Sequence, residues 1–250
     1  MGLKSNKGII ILLCVILMVL VYLFFSSNKK SEEFKLPSPE YIISDIHYIN
    51  LDRSVDRRIE IEKELKKIRG ISVTRWKAVD GNQLSKDYIN KICKYPNGVY
   101  TNEKRKNGEI GCYLSHKTLL EHLLKLNVNP EVGHLILEDD AIIDHKFLYK
   151  WNKLIPHLPS DWDMVYFGIL FNNGTIINSK NGIGKLIRGC GTHGYMVKHS
   201  SIPKILEKIN IMTEPIDELY ENMFDEFNVY SPDERLIIGN DINTSIIGQL

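Results

Sequence analysis

Three consecutive carboxylates, Glu138, Asp139 and Asp140, stand between two apolar runs in the stretch LILEDDAII. Adjacent negative charges repel, and burying any of them without a partner is costly. The cluster therefore either faces water or is balanced by a positive group. Mg²⁺ and Mn²⁺ take oxygen ligands, commonly one or two carboxylates with substrate phosphates. Because alternate residues of a strand point the same way, Glu138 and Asp140 are candidate metal ligands, although the triplet taken alone favours a solvated loop in which Asp140 caps the following turn.

A basic cluster follows the first predicted strand. In YINLDRSVDRR, Arg53, Arg57 and Arg58 stand at the start of a predicted helix. Guanidinium groups, free backbone N–H groups and the helix dipole all favour a phosphate at such a place. A solvated helix start, with the arginines paired to Glu60 and Glu64 by helical spacing, is an equally open interpretation.

The stretch GEIGCYLSH combines two glycines with a serine and a histidine. Gly108 and Gly111 permit a close backbone approach. Ser115 is predicted to cap a helix through HKTLLEHLLKL, and the polar residues 91–108 are predicted to form a loop. His116, at the helix start, either contacts a ligand phosphate or ribose or is a surface histidine.

The elements that must position these residues are typical of an α/β protein, because short apolar runs alternate with amphipathic stretches after residue 41. The predicted strands are IISDIHYINL, ISVTRWKAV, HLILE, WDMVYFG and GYMVK, and helices are predicted in VDRRIEIEKELKKIRG and SSIPKILEKI. The acidic triplet directly follows the buried strand HLILE. Ligands of open α/β sheets bind at the carboxyl ends of the strands, so the position of the triplet agrees with its chemistry.

The first 40 residues differ in composition from the rest. Residues 8–25, GIIILLCVILMVLVYLFF, form an uncharged apolar run, which is long enough to cross a bilayer and longer than the apolar region of a cleaved signal peptide. We predict a tail at 1–7, a transmembrane anchor at 8–25, a polar stem at 26–40 and one folded domain at 41–250. Lysines flank both sides of the anchor too evenly to fix its orientation.

Composition narrows the partners. The chain has 250 residues and a formal net charge of +1, which suits one domain and gives no basis for a nucleic-acid partner. Cys93, Cys112 and Cys190 lack CxxC spacing, so neither a zinc site nor a dense disulfide framework is predicted, and a single disulfide remains open. The sequons at Asn173 and Asn243 are glycan acceptors if the domain is luminal.

Seven stretches together resemble, in sequence order, the landmarks of glycosyltransferase family 25: YINLDRSVDRR, WKAVDG, GEIGCYLSH, LILEDDAII, WDMVYFG, THGYMVK and IDELY. That family includes lipopolysaccharide galactosyltransferases and procollagen galactosyltransferases. The resemblance implies a GT-A-type, Rossmann-like single domain with a mixed, mostly parallel sheet. It also implies metal-dependent transfer of a hexose, galactose or glucose, from a UDP-sugar to a hydroxyl group of a glycan, glycolipid or glycoprotein acceptor, with inversion to a β-linkage. A catalytically silent nucleotide-sugar-binding domain and a metal-dependent phosphoryl hydrolase are the alternatives.

The resemblance assigns roles to single residues. The family's DxD-like motif maps onto the acidic triplet, so Glu138 and Asp140 are the implied ligands of Mn²⁺ (or Mg²⁺), and Asp140 is also assigned to catalysis. Asp217, in EPIDELY, is the candidate general base that inversion requires. The implied donor-binding residues are Asn50, Arg53, Arg57, Asp80, Ser115, His116 and Asp139, although a turn-capping role for Asp80 is equally open.

The location of the enzyme follows only as an expectation. A type II anchor with a luminal catalytic domain in the Golgi or ER would fit the stem and the sequons. A bacterial inner membrane with a cytosolic domain would fit lipopolysaccharide biosynthesis. We expect the first arrangement.

Overall fold

A computed structural model describes residues 42–94 and 103–240, without the side chains of 103–105 and 170–173. All of these residues belong to one compact unit. The predicted tail, anchor and stem, and the sequon at Asn243, lie outside the described residues. Across 42–94 and 103–240, no helix combines the length and the apolar character that a membrane crossing needs.

An eight-stranded mixed sheet forms the centre of the unit. In spatial order its strands are β2 (Ser72–Lys77), β1 (Ile43–Asn50), β3 (Gly133–Glu138), β8 (Gly194–Lys198), β5 (Met164–Tyr166), β9 (Val229–Pro232), β7 (Ile183–Cys190) and β6 (Leu170–Lys180). Strand β1 is parallel to β2 and β3, and β5 is parallel to β9, whereas the other four pairings are antiparallel. Strands β7 and β8 therefore run against the remaining six. This mixed sheet with one prevailing direction fits the GT-A-type architecture.

Six helices and a small second sheet complete the described part of the chain. The helices are α1 (Val55–Leu65), α2 (Lys86–Ile92), α3 (Glu103–Leu123), α4 (Phe147–Leu154), α5 (Ile202–Lys208) and α6 (Ile216–Glu221). Strand β4 (Ala141–Ile143), just after the acidic triplet, pairs antiparallel with β10 (Ile237–Gly239). This pairing fixes the chain immediately beyond the triplet.

The core consists of two apolar layers, one on each face of the sheet. Ile136 of β3 belongs to the layer that contains α3, α5 and α6. Its neighbours Leu135 and Leu137 belong to the layer that contains α1 and α4. Successive residues of a strand point to opposite faces, so a strand covered on both sides must be apolar throughout. That is why HLILE has no polar alternation.

One helix begins earlier than the sequence indicates. The prediction that Ser115 caps a helix after a loop at 91–108 was wrong, because α3 begins at Glu103 and Ser115 lies in its interior. The Ser115 hydroxyl instead donates to the carbonyl oxygen of Gly111, one turn earlier (2.6 Å), as serines inside helices commonly do. Residues 95–102 lie outside the described residues.

Candidate functional site

A cleft opens at the carboxyl ends of β1 and β3. It lies at the edge of the sheet that the sequence predicts. The structure brings nine of the predicted residues into its lining: Asn50, Arg53, Arg57, Asp80, Ser115, His116, Glu138, Asp139 and Asp140.

The acidic triplet is balanced in part by an arginine of the same chain. Strand β3 ends at Glu138, and Asp139 and Asp140 lie in the turn that follows. Arg57 Nη2 lies 2.5 Å from Asp139 Oδ1 and 3.1 Å from Asp140 Oδ2. Asn50 Nδ2 donates to the other oxygen of Asp139 at 2.6 Å. Asp139 is therefore held on both oxygens, and Arg57 contacts the triplet itself, although the sequence assigned it to the donor.

Asp140 retains an unused acceptor. Its Oδ1 atom is buried and has no hydrogen-bond partner among the described residues. Burial, and then the negative charge of Glu138, raise the pKa of Asp140 to about 7, against the opposing effect of Arg57. A divalent cation would supply the positive charge that this carboxylate lacks.

Glu138 lies in a different environment from the two aspartates. Its Oε1 accepts hydrogen bonds from Thr192 Oγ1 and from His116 Nε2, the latter at 3.2 Å. Burial alone would raise the pKa of Glu138, but the hydrogen bond and charge of His116, with the Thr192 hydrogen bond, lower it to about 2. Alternation along a strand predicted that Glu138 and Asp140 share a face, but alternation ends at the turn. The two groups interact electrostatically across the cleft floor.

His116 is fully buried, so it is not a surface histidine. Its Nδ1 atom lies 2.7 Å from Tyr195 Oη, which in turn lies 3.2 Å from Tyr220 Oη. The side chains of Glu138, His116, Tyr195 and Tyr220 thus form a buried hydrogen-bonded chain from the cleft to α6. His116 positions Glu138 and lines the cleft at the same time.

A tight contact between α3 and the chain after β2 shapes the opposite wall. Ser115 Oγ accepts from the backbone N–H of Val79 at 2.8 Å. A Cβ atom at Gly111 would lie 2.6 Å from the Val79 carbonyl oxygen and 2.9 Å from the Gly81 nitrogen. The close backbone approach predicted at Gly111 is confirmed, and Ser115 acts in building this wall.

Asp80 combines the two roles that the sequence left open. One of its oxygens accepts from the backbone N–H of Asn82 and caps the short 3-10 turn Gly81–Gln83. The other is paired with Arg53, whose side chain is half exposed at the cleft mouth. Asp80 therefore fixes the turn and holds Arg53 at the entrance.

Asp217 lies at the first turn of α6, outside the cleft lining. Burial, and then the charge of Glu138, raise its pKa above the ordinary value for an aspartate. The influence of Glu138 means that Asp217 lies within electrostatic range of the cleft floor. It is the predicted site residue that the structure separates from the others.

Sequence reasoning missed Thr192 and Cys112. Thr192 precedes β8, and because β8 runs antiparallel to β3 with Gly194 opposite Leu137, its hydroxyl reaches the end of β3. Only a prediction of that pairing could have found Thr192. The electrostatic interaction of Glu138 with His193, which is adjacent to Thr192, also lowers the pKa of Glu138.

Within the described residues Cys93, Cys112 and Cys190 are free thiols, so no disulfide forms among them.

The donor atoms of the cleft fit a divalent metal of the hard, oxygen-preferring kind. Asp140 offers a buried oxygen that no other described residue contacts by a hydrogen bond, and Glu138 offers a carboxylate that stays ionised. Cys112, His116 and Glu138 also group their ligand atoms within 4.8 Å. Burial and the charge of Glu138 raise the pKa of the Cys112 thiol well above its usual value, which keeps it protonated and a poor ligand.

The chain belongs to glycosyltransferase family 25. The sequence model described as "Glycosyltransferase family 25 (LPS biosynthesis protein)" matches residues 43–220, which include every predicted site residue.

Curated relatives carry the same family name. A "Glycosyltransferase 25 family member" of Anopheles gambiae is 31% identical over 76% of this chain and 33% of its own length. "Procollagen galactosyltransferase 2" of Homo sapiens is 29% identical over 50% of this chain and 20% of its own length. "Inactive glycosyltransferase 25 family member 3" of Homo sapiens is 25% identical over 73% of this chain and 32% of its own length. The chain thus spans about a third or less of the length of these relatives.

One solved structure is similar at low level. A glycosyltransferase "involved in the glycosylation of the major capsid of PBCV-1" is 12% identical, with a TM-score of 0.41 over 81% of this chain and 95% of that one. A TM-score of this size supports no argument about chemistry.

Proposed function

We propose that this chain is a metal-dependent glycosyltransferase with a UDP-sugar donor. It transfers a hexose, galactose or glucose, to a hydroxyl group of a glycan, glycolipid or glycoprotein acceptor, with inversion to a β-linkage. The observation that carries this proposal is the acidic triplet in the cleft, where the buried Asp140 Oδ1 has no hydrogen-bond partner within residues 42–94 and 103–240. Membership of the family supports the same reaction class.

Glu138 and Asp140 are the residues that would hold the metal, Mn²⁺ or Mg²⁺. When bound, the metal supplies Lewis-acid stabilisation for the charge that grows on the departing diphosphate. Asn50 and Arg57 hold Asp139 and thereby keep the turn that carries Asp140 in place. Arg53, at the cleft mouth, is available to donor phosphates.

Asp217 is the proposed base on the acceptor side. In an inverting transfer the acceptor oxygen forms a bond to the anomeric carbon while the bond from that carbon to UDP breaks, and the hydroxyl proton passes to a carboxylate. The raised pKa of Asp217 makes it a stronger base than an exposed aspartate. Its place on α6, beside the cleft but outside its lining, fits a residue that meets the acceptor.

The partners and location remain part of the proposal. The name of the human procollagen galactosyltransferase supports galactose as the sugar, and the family description supports a lipopolysaccharide acceptor as the alternative to a protein. We propose a single-pass anchor at residues 8–25 with a luminal domain, and a bacterial inner membrane with a cytosolic domain as the other arrangement.

A catalytically silent donor-binding domain is the competing function, because one human relative is named inactive. The presence of all three carboxylates of the triplet argues against a catalytically silent domain in this chain. The two functions differ in one measurable way, since a silent domain binds a UDP-sugar but releases no UDP with any acceptor.

The test is UDP release by the full chain, kept in mild detergent because of its expected anchor. A panel of UDP-sugars is assayed with Mn²⁺, with EDTA, and in the variants Asp140→Asn and Asp225→Asn. Asp225 is an exposed carboxylate and serves as the matched control. We expect release from one sugar that requires the metal, falls at least about 100-fold in Asp140→Asn, and is unchanged in Asp225→Asn. Donor binding without release favours the silent domain, and phosphate release without a sugar donor favours a phosphoryl hydrolase.

A further inference from the structure

A second cluster of metal-ligating side chains lies earlier along β1 and β3 than the cleft. Asp45 and His47 are two residues apart on β1, so they share a face. His134 stands beside Asp45 in the parallel register of β1 and β3. The ligand atoms of these three side chains lie within 4.8 Å of one another. His134 and Glu138 are four residues apart on β3, about 13 Å along the strand, and His47 lies opposite Ile136, between these two levels.

The hydrogen bonding of His47 provides an independent observation in support of a ligand site. Its side chain is 6% exposed, yet neither ring nitrogen has a hydrogen-bond partner within the described residues. The Nε2 atom lies 3.2 Å from Asp45 Oδ1, which is within ion-pair distance. Buried imidazole nitrogens are normally satisfied, and this one is aimed at a carboxylate and a second imidazole.

We propose that Asp45, His47 and His134 form a binding site for a Zn²⁺-class ion, separate from the acidic triplet. Two imidazoles and one carboxylate suit zinc and its neighbours better than Mg²⁺ or Mn²⁺. Three protein ligands also leave a fourth position for water. This inference does not depend on the proposed transfer reaction.

The distances are close to those that a tetrahedral ion needs. Ligand bonds of 2.0–2.1 Å place neighbouring ligand atoms roughly 3.3 Å apart. His47 Nε2 and Asp45 Oδ1 are already 3.2 Å apart. His134 Nδ1 and Asp45 Oδ1 are hydrogen-bonded at 2.7 Å and must separate by about half an ångström. Side-chain rotation supplies that movement, because Asp45 is partly exposed.

His199 completes the site as a supporting residue. Its Nδ1 atom lies 3.0 Å from His134 Nε2. An ion bound at His134 Nδ1 fixes the proton of that ring on Nε2, which then donates to His199. Metal-bound histidines almost always have such an outer partner.

The test uses Co²⁺ as a spectroscopic probe for zinc, with the full chain carrying Asp140→Asn to weaken the cleft site. We expect one Co²⁺ per chain with visible bands typical of four-coordinate nitrogen and oxygen ligation, displaced by Zn²⁺. His47→Gln should weaken Co²⁺ binding at least about 100-fold, and His199→Ala about tenfold, because outer-shell partners contribute 10–100-fold. His145→Gln, at an exposed histidine beside Asp144, is the matched control and should bind as before.

A second readout guards against misfolding. Zn²⁺ should raise the Tm of the His145→Gln control but not that of His47→Gln, because a ligand stabilises only a fold that binds it. If His47→Gln does not fold, Asp45→Asn replaces it with the same expectation. The inference is overturned if Co²⁺ binding survives in His47→Gln or Asp45→Asn. It is also overturned if a sulfur-to-cobalt band shows that the ion sits on Cys112.

Discussion

Asp140 is subject to opposing effects, because burial and the charge of Glu138 raise its pKa whereas Arg57 lowers it. One of its oxygens is paired with Arg57 and the other is buried without a partner among the described residues. Its folded-state pKa of about 7 lies above the ordinary 3.8, so between these pH values the metal-free folded chain binds more protons than the unfolded chain. The contribution of Asp140 to stability is therefore present at low pH and is lost as the pH rises through 7.

Asp140→Asn should remove this pH-dependent penalty. In EDTA we expect the variant to be more stable than the parent by about 1–3 kcal/mol at pH 8 and nearly equal to it at pH 4.5. The measurement is urea unfolding of both proteins at the two pH values. An equal difference at both would mean that Asp140 does not titrate in this range.

Tyr195→Phe tests the positioning of His116. The hydroxyl group that meets His116 Nδ1 is deleted, and a buried nitrogen without a partner costs about 1–2 kcal/mol. Urea unfolding should show that loss. Tyr88→Phe, at a half-exposed ring, should leave stability unchanged. If both variants lost the same free energy of unfolding, the loss would come from removing any tyrosine hydroxyl group and not from the hydrogen bond with His116.

Among single residues, the sequence predicted those whose chemistry is carried by local pattern. The triplet and Arg53 could be placed because each follows a recognisable strand. Thr192, and the group of Asp45, His47 and His134, could not be found. Their meaning depends on which strands pair and in what register, and separate stretches of sequence do not contain that information.

At the scale of elements, the contact between α3 and the chain after β2 determines the shape of the cleft. Gly111 and Gly81 allow backbones to meet where any side chain would intrude. Because the obstructing atoms belong to the backbone, they cannot rotate away. The contact therefore depends on glycine and not merely on a small residue.

Gly111→Ala should destabilise the chain although alanine is the better helix former. The helix gains about 0.5–1 kcal/mol from alanine, but overpacking against backbone costs about 1–3 kcal/mol. We expect a net loss in urea unfolding together with weaker UDP-sugar binding. Gly70→Ala is the control, since its surroundings are open and only its φ of +87° opposes a side chain. That variant should lose about 1 kcal/mol and keep donor affinity. Unchanged donor binding in Gly111→Ala would contradict the prediction that this contact determines the shape of the cleft.

Apolar periodicity predicted five of the ten strands of the described residues (β1, β2, β3, β5 and β8) and three of the six helices (α1, α3 and α5), but not the start of α3. The residues before Gly108 are polar and lack an apolar stripe, which favoured a loop. The helix forms there because its later turns, around Tyr113 and Leu120, are completely buried. Tertiary packing thus extends a helix that local composition does not indicate.

At the scale of the whole molecule, the cleft lies at the carboxyl ends of β1 and β3, and the group of Asp45, His47 and His134 lies earlier along the same two strands. The fold class followed from the alternation of elements, and the family from the order of its landmarks. The two antiparallel strands, β7 and β8, were not predictable, because strand direction is set by connections and not by the apolar pattern of each strand.

The transmembrane anchor predicted at residues 8–25 can be tested in the full chain. Val15→Asp with Met18→Asp places two charges in the run 8–25, each costing about 2.5–3.5 kcal/mol at the centre of a membrane helix. We expect the parent chain to stay with membranes after alkaline washing and the double variant to be released. Val55→Asp, at an exposed position of α1, should behave as the parent does. Retention of the double variant would contradict an anchor at 8–25.

The chain of side chains from Glu138 through His116 and Tyr195 to Tyr220 ends on the helix that carries Asp217. A movement of this helix that lengthened the Tyr195–Tyr220 contact would alter the hydrogen bonding of His116 and, through it, that of Glu138, and such coupling is reciprocal. An acceptor docking against α6 would thus alter the acidity of the donor side before any bond is made. Donor and acceptor binding would then be coupled through buried side chains and not through the surface of the domain.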